Sequence, residues 1–204
     1  MARQKGPSPR ADNLRRLVAV EAARIMAEQG IEDFGIAKRK AAQRLGVTDR
    51  GSLPRNTEIE AALAENQRLF AGGDHDDTLR GLRETALHAM NLFSDFSPRA
   101  VGAVLSGLVT PGSDIDLHVF ADSAELVAMR LMQNDIPYRL IEKRIRTHSD
   151  QHQFFPAYRF EAGSRTVELT VFPTHGIRQS PLSPSNGRPM ERASAPHIES
   201  LLAG

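Results

Sequence analysis

The chain of 204 residues contains no cysteine and no tryptophan, only two tyrosines, and no apolar run near the length of a membrane span. Without cysteine there are no disulfides, no thiolate metal sites and no cysteine nucleophile, so any metal must be held by oxygen or imidazole. A spanning helix needs about 20 consecutive apolar residues, and the basic start, Met1 to Arg16, lacks the apolar segment of a signal peptide. A cytoplasmic location with no membrane partner is therefore expected. Neither a Gly-Lys-Ser/Thr phosphate loop nor a Gly-x-Ser-x-Gly nucleophile elbow occurs, which removes P-loop chemistry and the commonest serine-hydrolase layout. The net charge of +1 hides an asymmetry, because residues 1–50 hold eleven Lys or Arg against six Asp or Glu. Such an excess attracts phosphates and makes nucleic acid a candidate partner of the N-terminal helices.

What is present is concentrated in Gly112-Ser113-Asp114-Ile115-Asp116-Leu117-His118-Val119-Phe120. A strand sends alternate side chains to one face, so Asp114 and Asp116 are predicted to share a face while Ile115, Leu117 and Val119 enter the core. Two carboxylates side by side repel unless a cation stands between them, which points to a hard metal. The plain alternative is a turn leading into a solvent-facing strand, but Asp is depleted in strands. His118 is expected to face away from Asp116 and to be packed in the core. A second strand, Arg165 to Phe172, alternates Val167, Leu169 and Val171 with Thr166, Glu168 and Thr170, and Glu168 is its only acid. Were the two strands adjacent, Asp114, Asp116 and Glu168 would form a three-carboxylate set able to hold one or two Mg²⁺ ions.

Over residues 76–175 this order of elements resembles the nucleotidyltransferase superfamily typified by DNA polymerase beta. There, a strand opening Asp-x-Asp follows a Gly-Ser turn, and a later strand carries a third acid. The resemblance implies that Asp114 and Asp116 hold Mg²⁺ on the phosphates of a nucleoside triphosphate, and that Glu168 helps activate an acceptor hydroxyl for attack on the alpha phosphorus. The family's turn precedes the first Asp by roughly ten residues. Here the phosphate cradle falls to Ser106 and Gly107, reversed and closer, or to Gly112 and Ser113, or it has decayed and only the acids remain. A second resemblance, over nearly the whole chain, is to proteobacterial proteins of similar length, some labelled UDP-N-acetylmuramate–alanine ligase. A ligase of that kind needs the Gly-Lys-Ser/Thr loop this chain lacks.

The organisation follows from periodicity and breakers. Residues 1–12 are predicted to be a disordered basic arm, 13–71 a three-helix unit ending at Gly72-Gly73, and 176–204 a Pro/Ser/Gly-rich tail with a short terminal helix. In the unit, helices start at the Asp12/Asn13, Asp33 and Asn56 caps. The acids of Gly73-Asp74-His75-Asp76-Asp77 read as helix-start residues rather than metal ligands. Strands are predicted over Val101–Leu108, Tyr138–Arg146, Phe154–Ala162 and Arg165–Phe172, besides the acidic one. The fold expected is α+β: a mixed sheet of about five strands packed by helices, with an N-terminal helical unit. The functions considered are Mg²⁺-dependent nucleotidyl transfer, an inactive module of the same fold binding nucleic acid or protein, and a DNA-binding regulator built on residues 33–71.

Overall fold

Alternation of apolar and polar residues governs the C-terminal part of the chain, and it produces a five-stranded mixed sheet. The computed structural model describes residues 9–31, 33–70, 73–110, 112–147 and 151–203. The strands are β1 (Arg99–Ala100), β2 (Ile115–Phe120), β3 (Arg139–Arg146), β4 (His152–Ala162) and β5 (Arg165–Phe172). Their order is β1-β2-β5-β4-β3, with β2 and β5 parallel and every other pairing antiparallel. The fold is thus α+β, with the mixed five-stranded sheet expected from the sequence.

One sheet face is the core. Ile115, Leu117 and Val119 of β2 and Val167, Leu169 and Val171 of β5 are buried, together with Tyr158 and Phe160 of β4. They pack in one cluster with Leu82, Ala86, Met90 and Phe93 of α4 (Gly73–Leu92), Val127 and Leu131 of α6 (Ala124–Gln133), and Ile198 of α7 (Ala195–Ala203). Each large side chain fully buried here contributes roughly 1.5–3 kcal/mol. The helices therefore occupy this face and leave the other for polar groups. A tight Gly163-Ser164 turn, with Gly163 at φ +66°, joins β4 to β5.

The tail crosses the second face. Leu182 N donates to Arg146 O at 2.9 Å at the β3 edge, and Ala193 pairs with Ala100 of β1 at the opposite edge. An ordered wrap results. Between those anchors the Arg192 guanidinium lies 5.0 Å from the ring centroids of both Phe120 and Phe172.

The segment Val101–Leu108, predicted as a strand, is not one. Only Arg99–Ala100 pair as β1, and Ala103–Ser106 turn as the short helix α5. The cause is Gly102, at φ +63° and ψ −137°, a conformation open to glycine alone among ordinary residues. The apolar run that suggested a strand supplies Val101 and Val104 to the core instead.

A separate N-terminal unit comprises residues 1–71 with 110–112, and the sheet unit comprises 72–109 with 113–204. The former holds α1 (Pro9–Gln29), α2 (Phe34–Arg44) and α3 (Asn56–Phe70). Helix α1 already includes residues 9–12, assigned above to the arm, while residues 1–8 and 71–72 lie outside those described. Asp33 caps α2 by accepting from Ile36 N at 2.7 Å, and Glu58 Oε2 accepts from Arg55 N at 2.6 Å at the start of α3. Val18, Ala22, Ile25, Ala37, Ala41, Ile59 and Leu63 are buried between the three helices. Leu17 and Leu45 are 50% and 41% exposed. No helix among the described residues is long and apolar enough to cross a membrane.

Candidate functional site

The second sheet face carries the acids. Asp116 of β2 and Glu168 of β5 occupy paired positions on neighbouring parallel strands, so their carboxylates leave the same face. Arg159 of β4 pairs with Glu168 across the next ladder, and Arg139 of β3 pairs with Arg159. One row of side chains across the sheet thus reads acid, acid, cation, cation.

Two basic side chains tie the acids together. Lys143 Nζ donates to Asp116 Oδ1 at 3.0 Å and also to Glu168 Oε1. Arg159 Nη2 donates to Asp114 Oδ2, while its Nε lies 3.9 Å from Glu168 Oε2. Glu168 is 7% exposed, and a carboxylate buried that far requires such partners. Burial raises the pKa of Asp114 above the ordinary carboxylate value; Arg159 opposes the shift, and repulsion from Asp116 and Glu168 adds to it. Burial also works against the Lys143 ammonium, but Asp116 and Glu168 outweigh it and hold its pKa above that of an ordinary lysine. The structure therefore brings Asp114, Asp116 and Glu168 into one electrostatic network.

In kind, this donor set suits a hard divalent cation, since it is all carboxylate oxygen. In arrangement, the carboxylates attend Lys143 and Arg159, and among the described residues no group of three or more His, Asp or Glu side chains stands poised to hold a metal ion. Space exists at the second oxygen of Asp116 because residue 102 has no side chain: a Cβ there would stand 3.2 Å from Asp116 Oδ2.

The residues offered as a phosphate cradle lie on two stretches of chain. Ser106 and Gly107 close α5, where Ser106 Oγ accepts from Leu108 N at 3.3 Å and Gly107 adopts φ +75°. Gly112 belongs to the N-terminal unit, where an added Cβ would stand 3.1 Å from Gly30, and Ser113 is buried. The glycine that stands against the acids is Gly102, just before α5.

His118 corrects a second expectation. It lies two residues beyond Asp116, not one, and so shares its face. The residue is 4% exposed, its ring lies 4.6 Å from that of Phe172 at a tilt of 56°, and Nδ1 accepts from Arg192 Nε at 3.0 Å. Burial first, then the Arg192 and Lys143 charges, push its pKa well below the ordinary value, leaving a neutral ring with its proton on Nε2. Arg192 also donates Nη1 to Gly176 O at 2.9 Å and to Gln179 O at 3.2 Å. Its Nη2 is buried with no hydrogen-bond partner among the described residues.

Lys143, Arg159 and Gly102 were not identified from the sequence. Lys143 stands on a predicted strand, but its approach to the acids depends on strand order. A cleft of about 340 Å³ lined by Thr147, Gln153, Phe155, Phe172, Gly176 and Gln179 shares no residue with the acid network.

No family model and no curated protein matches this chain. Among solved structures it is similar to one of a GLD-2/RNP-8 complex, at 18% identity and a TM-score of 0.34, over 52% of this chain and 43% of that one. It is also similar to one of a cytoplasmic RNA terminal U-transferase, at 19% identity and a TM-score of 0.28, over 48% of this chain and 28% of that one. The chain thus spans less than half the length of either, and likenesses this slight carry no argument about the site.

Proposed function

We propose that the sheet unit is a Mg²⁺-dependent nucleotidyltransferase that moves a nucleoside monophosphate from a nucleoside triphosphate to an acceptor hydroxyl. The observation that carries this reading is the pairing of Asp116 with Glu168 on adjacent parallel strands, joined to Asp114 through shared cations. Asp114, Asp116 and Glu168 would hold the metal. Bound there, a divalent ion would supply positive charge to the nucleotide phosphates as charge develops on the leaving pyrophosphate. Glu168 would accept the proton of the acceptor hydroxyl, whose oxygen bonds the alpha phosphorus as the bond to pyrophosphate breaks. Gly102 lets the chain pass close to the Asp116 carboxylate without a side chain in the way.

A second reading, a non-catalytic module of the same fold, is favoured by one observation: Lys143 already engages two of the three acids. Incubation of the full chain with each alpha-labelled nucleoside triphosphate, Mg²⁺ and host extract separates them. Label should move to an acceptor with the wild type and not with Asp116→Asn. Nucleotide binding without any transfer of label would establish the module instead.

A further inference from the structure

We infer that Lys143 and Arg159 are exchangeable counter-ions: they hold the acids while the site lacks metal, and they pass to the nucleotide phosphates when a metal–nucleotide complex enters. This rests on the nucleotidyl-transfer reading and adds how the site is regulated and how it meets a triphosphate.

The cationic charge is the same in both states. Lys143 and Arg159 together bring two positive charges to the carboxylates, the charge of one divalent cation. Replacing the pair by one such ion leaves the buried Glu168 compensated, whereas simple removal of either would strand a carboxylate in a place water barely reaches. Removal and replacement therefore differ sharply in cost.

The partners are also unequal in freedom. The Glu168 side chain is 8% exposed on an inner strand, flanked by β2 and β4. The Lys143 and Arg159 side chains are 38% and 39% exposed, and Lys143 stands on the edge strand β3. Long basic side chains keep their stems packed while the charged head moves. The cations are thus the members of the network that can leave.

Where they would go is set by register. Arg139 is exposed and lies directly opposite Arg159 on the same face. Two like charges so placed repel unless an anion joins them, and in this structure Asp114 answers one of the two. Once the carboxylates have another cation, the opposed pair Arg139 and Arg159, with Lys143 on the same face four residues further along β3, offers three donors to a triphosphate.

One substitution tests this through effects of opposite sign. Calorimetric titration of the full chain measures binding of MnCl₂ alone, and then of ATP, CTP, GTP and UTP in turn at saturating Mn²⁺. In Lys143→Met, Mn²⁺ alone should bind at least tenfold tighter than in the wild type, because two acids have lost their resident cation. The triphosphate that binds the wild type should bind the variant at least tenfold more weakly, because a phosphate donor is gone. Loss of both affinities would make Lys143 a structural support, while a gain in metal affinity with triphosphate binding unchanged or improved would make it only a blocker. Either result overturns the exchange, as does no change in either affinity. A wild type that binds neither metal nor triphosphate would instead remove the nucleotidyl-transfer reading itself. Should Lys143→Met fail to fold by circular dichroism, the same two titrations on Arg159→Gln decide, with the same opposite changes expected.

Discussion

At the level of single residues, the acids were visible in the sequence and their surroundings were not. Asp in a strand conflicts with β propensity, so Asp114-x-Asp116 stood out without any knowledge of the fold. Lys143 and Gly102 obey local rules, and their significance arises only when strand order places them beside those acids. Gly102 permits a direct test. In Gly102→Ala the new Cβ meets Asp116 Oδ2 at 3.2 Å in a backbone conformation that alanine avoids. A loss of about 1–3 kcal/mol in urea unfolding is expected, with weaker nucleotide binding because the carboxylate must shift. Stability equal to wild type would mean that the chain adjusts at residue 102 at no cost. Arg192 anchors more than one element. Its fork serves His118, Gly176 and Gln179 while its plane covers Phe120 and Phe172. Arg192→Lys keeps the charge but loses the fork and the flat face, so it should cost roughly 1–3 kcal/mol in the same measurement.

At the level of elements, periodicity is reliable where apolar and polar side chains alternate, even in β5 where both faces are buried, and fails where a single residue redirects the chain. Strand β5 was legible from end to end because Val167, Leu169 and Val171 alternate with polar partners. The segment after β1 was misjudged because Val101 to Leu108 is apolar enough for a strand, and one glycine turns it into α5. Register was illegible throughout: the parallel pairing of β2 with β5 follows from the intervening α6, β3 and β4, which no local pattern reports. Helix docking in the N-terminal unit offers a pH test. Glu21 of α1 accepts from Arg24 of its own helix and from Arg44 of α2 at 3.0 Å. The Arg24 hydrogen bond, against some loss of hydration, and then Arg44 hold the Glu21 pKa below the ordinary value of 4.5. A carboxyl lowered on folding stabilises above its unfolded pKa, and that contribution disappears as pH falls through the folded value. Glu21→Gln should therefore be less stable than wild type at pH 7 by no more than about 1 kcal/mol, since solvent screens the pairs. The gap should close below pH 4.5. A gap independent of pH in urea titrations from pH 7 to pH 3 would show that shape, not charge, links the two helices through Glu21.

At the level of the whole molecule, the chain divides its charge between two units, and the question is which of them meets phosphate. The basic surplus that made nucleic acid a candidate partner lies in the N-terminal unit, yet most of the α2 cations already have work there. Lys38 Nζ donates to Asn56 Oδ1 at 2.8 Å, Lys40 Nζ to Gln29 Oε1 at 3.1 Å, and Arg44 Nη1 to Glu21 Oε1. Burial lowers the Lys38 pKa, which marks a side chain drawn into packing rather than one held out toward a partner. Among the described residues, only Arg39 of these four is exposed with no interhelical hydrogen bond to serve. The acid network, with Lys143 and Arg159, belongs wholly to the sheet unit. Replacing Lys38, Arg39, Lys40 and Arg44 together by Ala should lower the stability of the helical unit. Metal-dependent triphosphate binding should stay within about twofold of wild type, since a site built on Mg²⁺ and carboxylates depends on the metal more than on the charges of another unit. EDTA should abolish that binding. A nucleic-acid interface on α2 would behave in the reverse manner, with affinity falling steeply as salt rises, indifferent to EDTA and lost in the four-Ala variant. Filter binding of single-stranded RNA and duplex DNA across a salt series, on both proteins, separates these outcomes, and the second pattern would move the functional centre from the sheet to the helices.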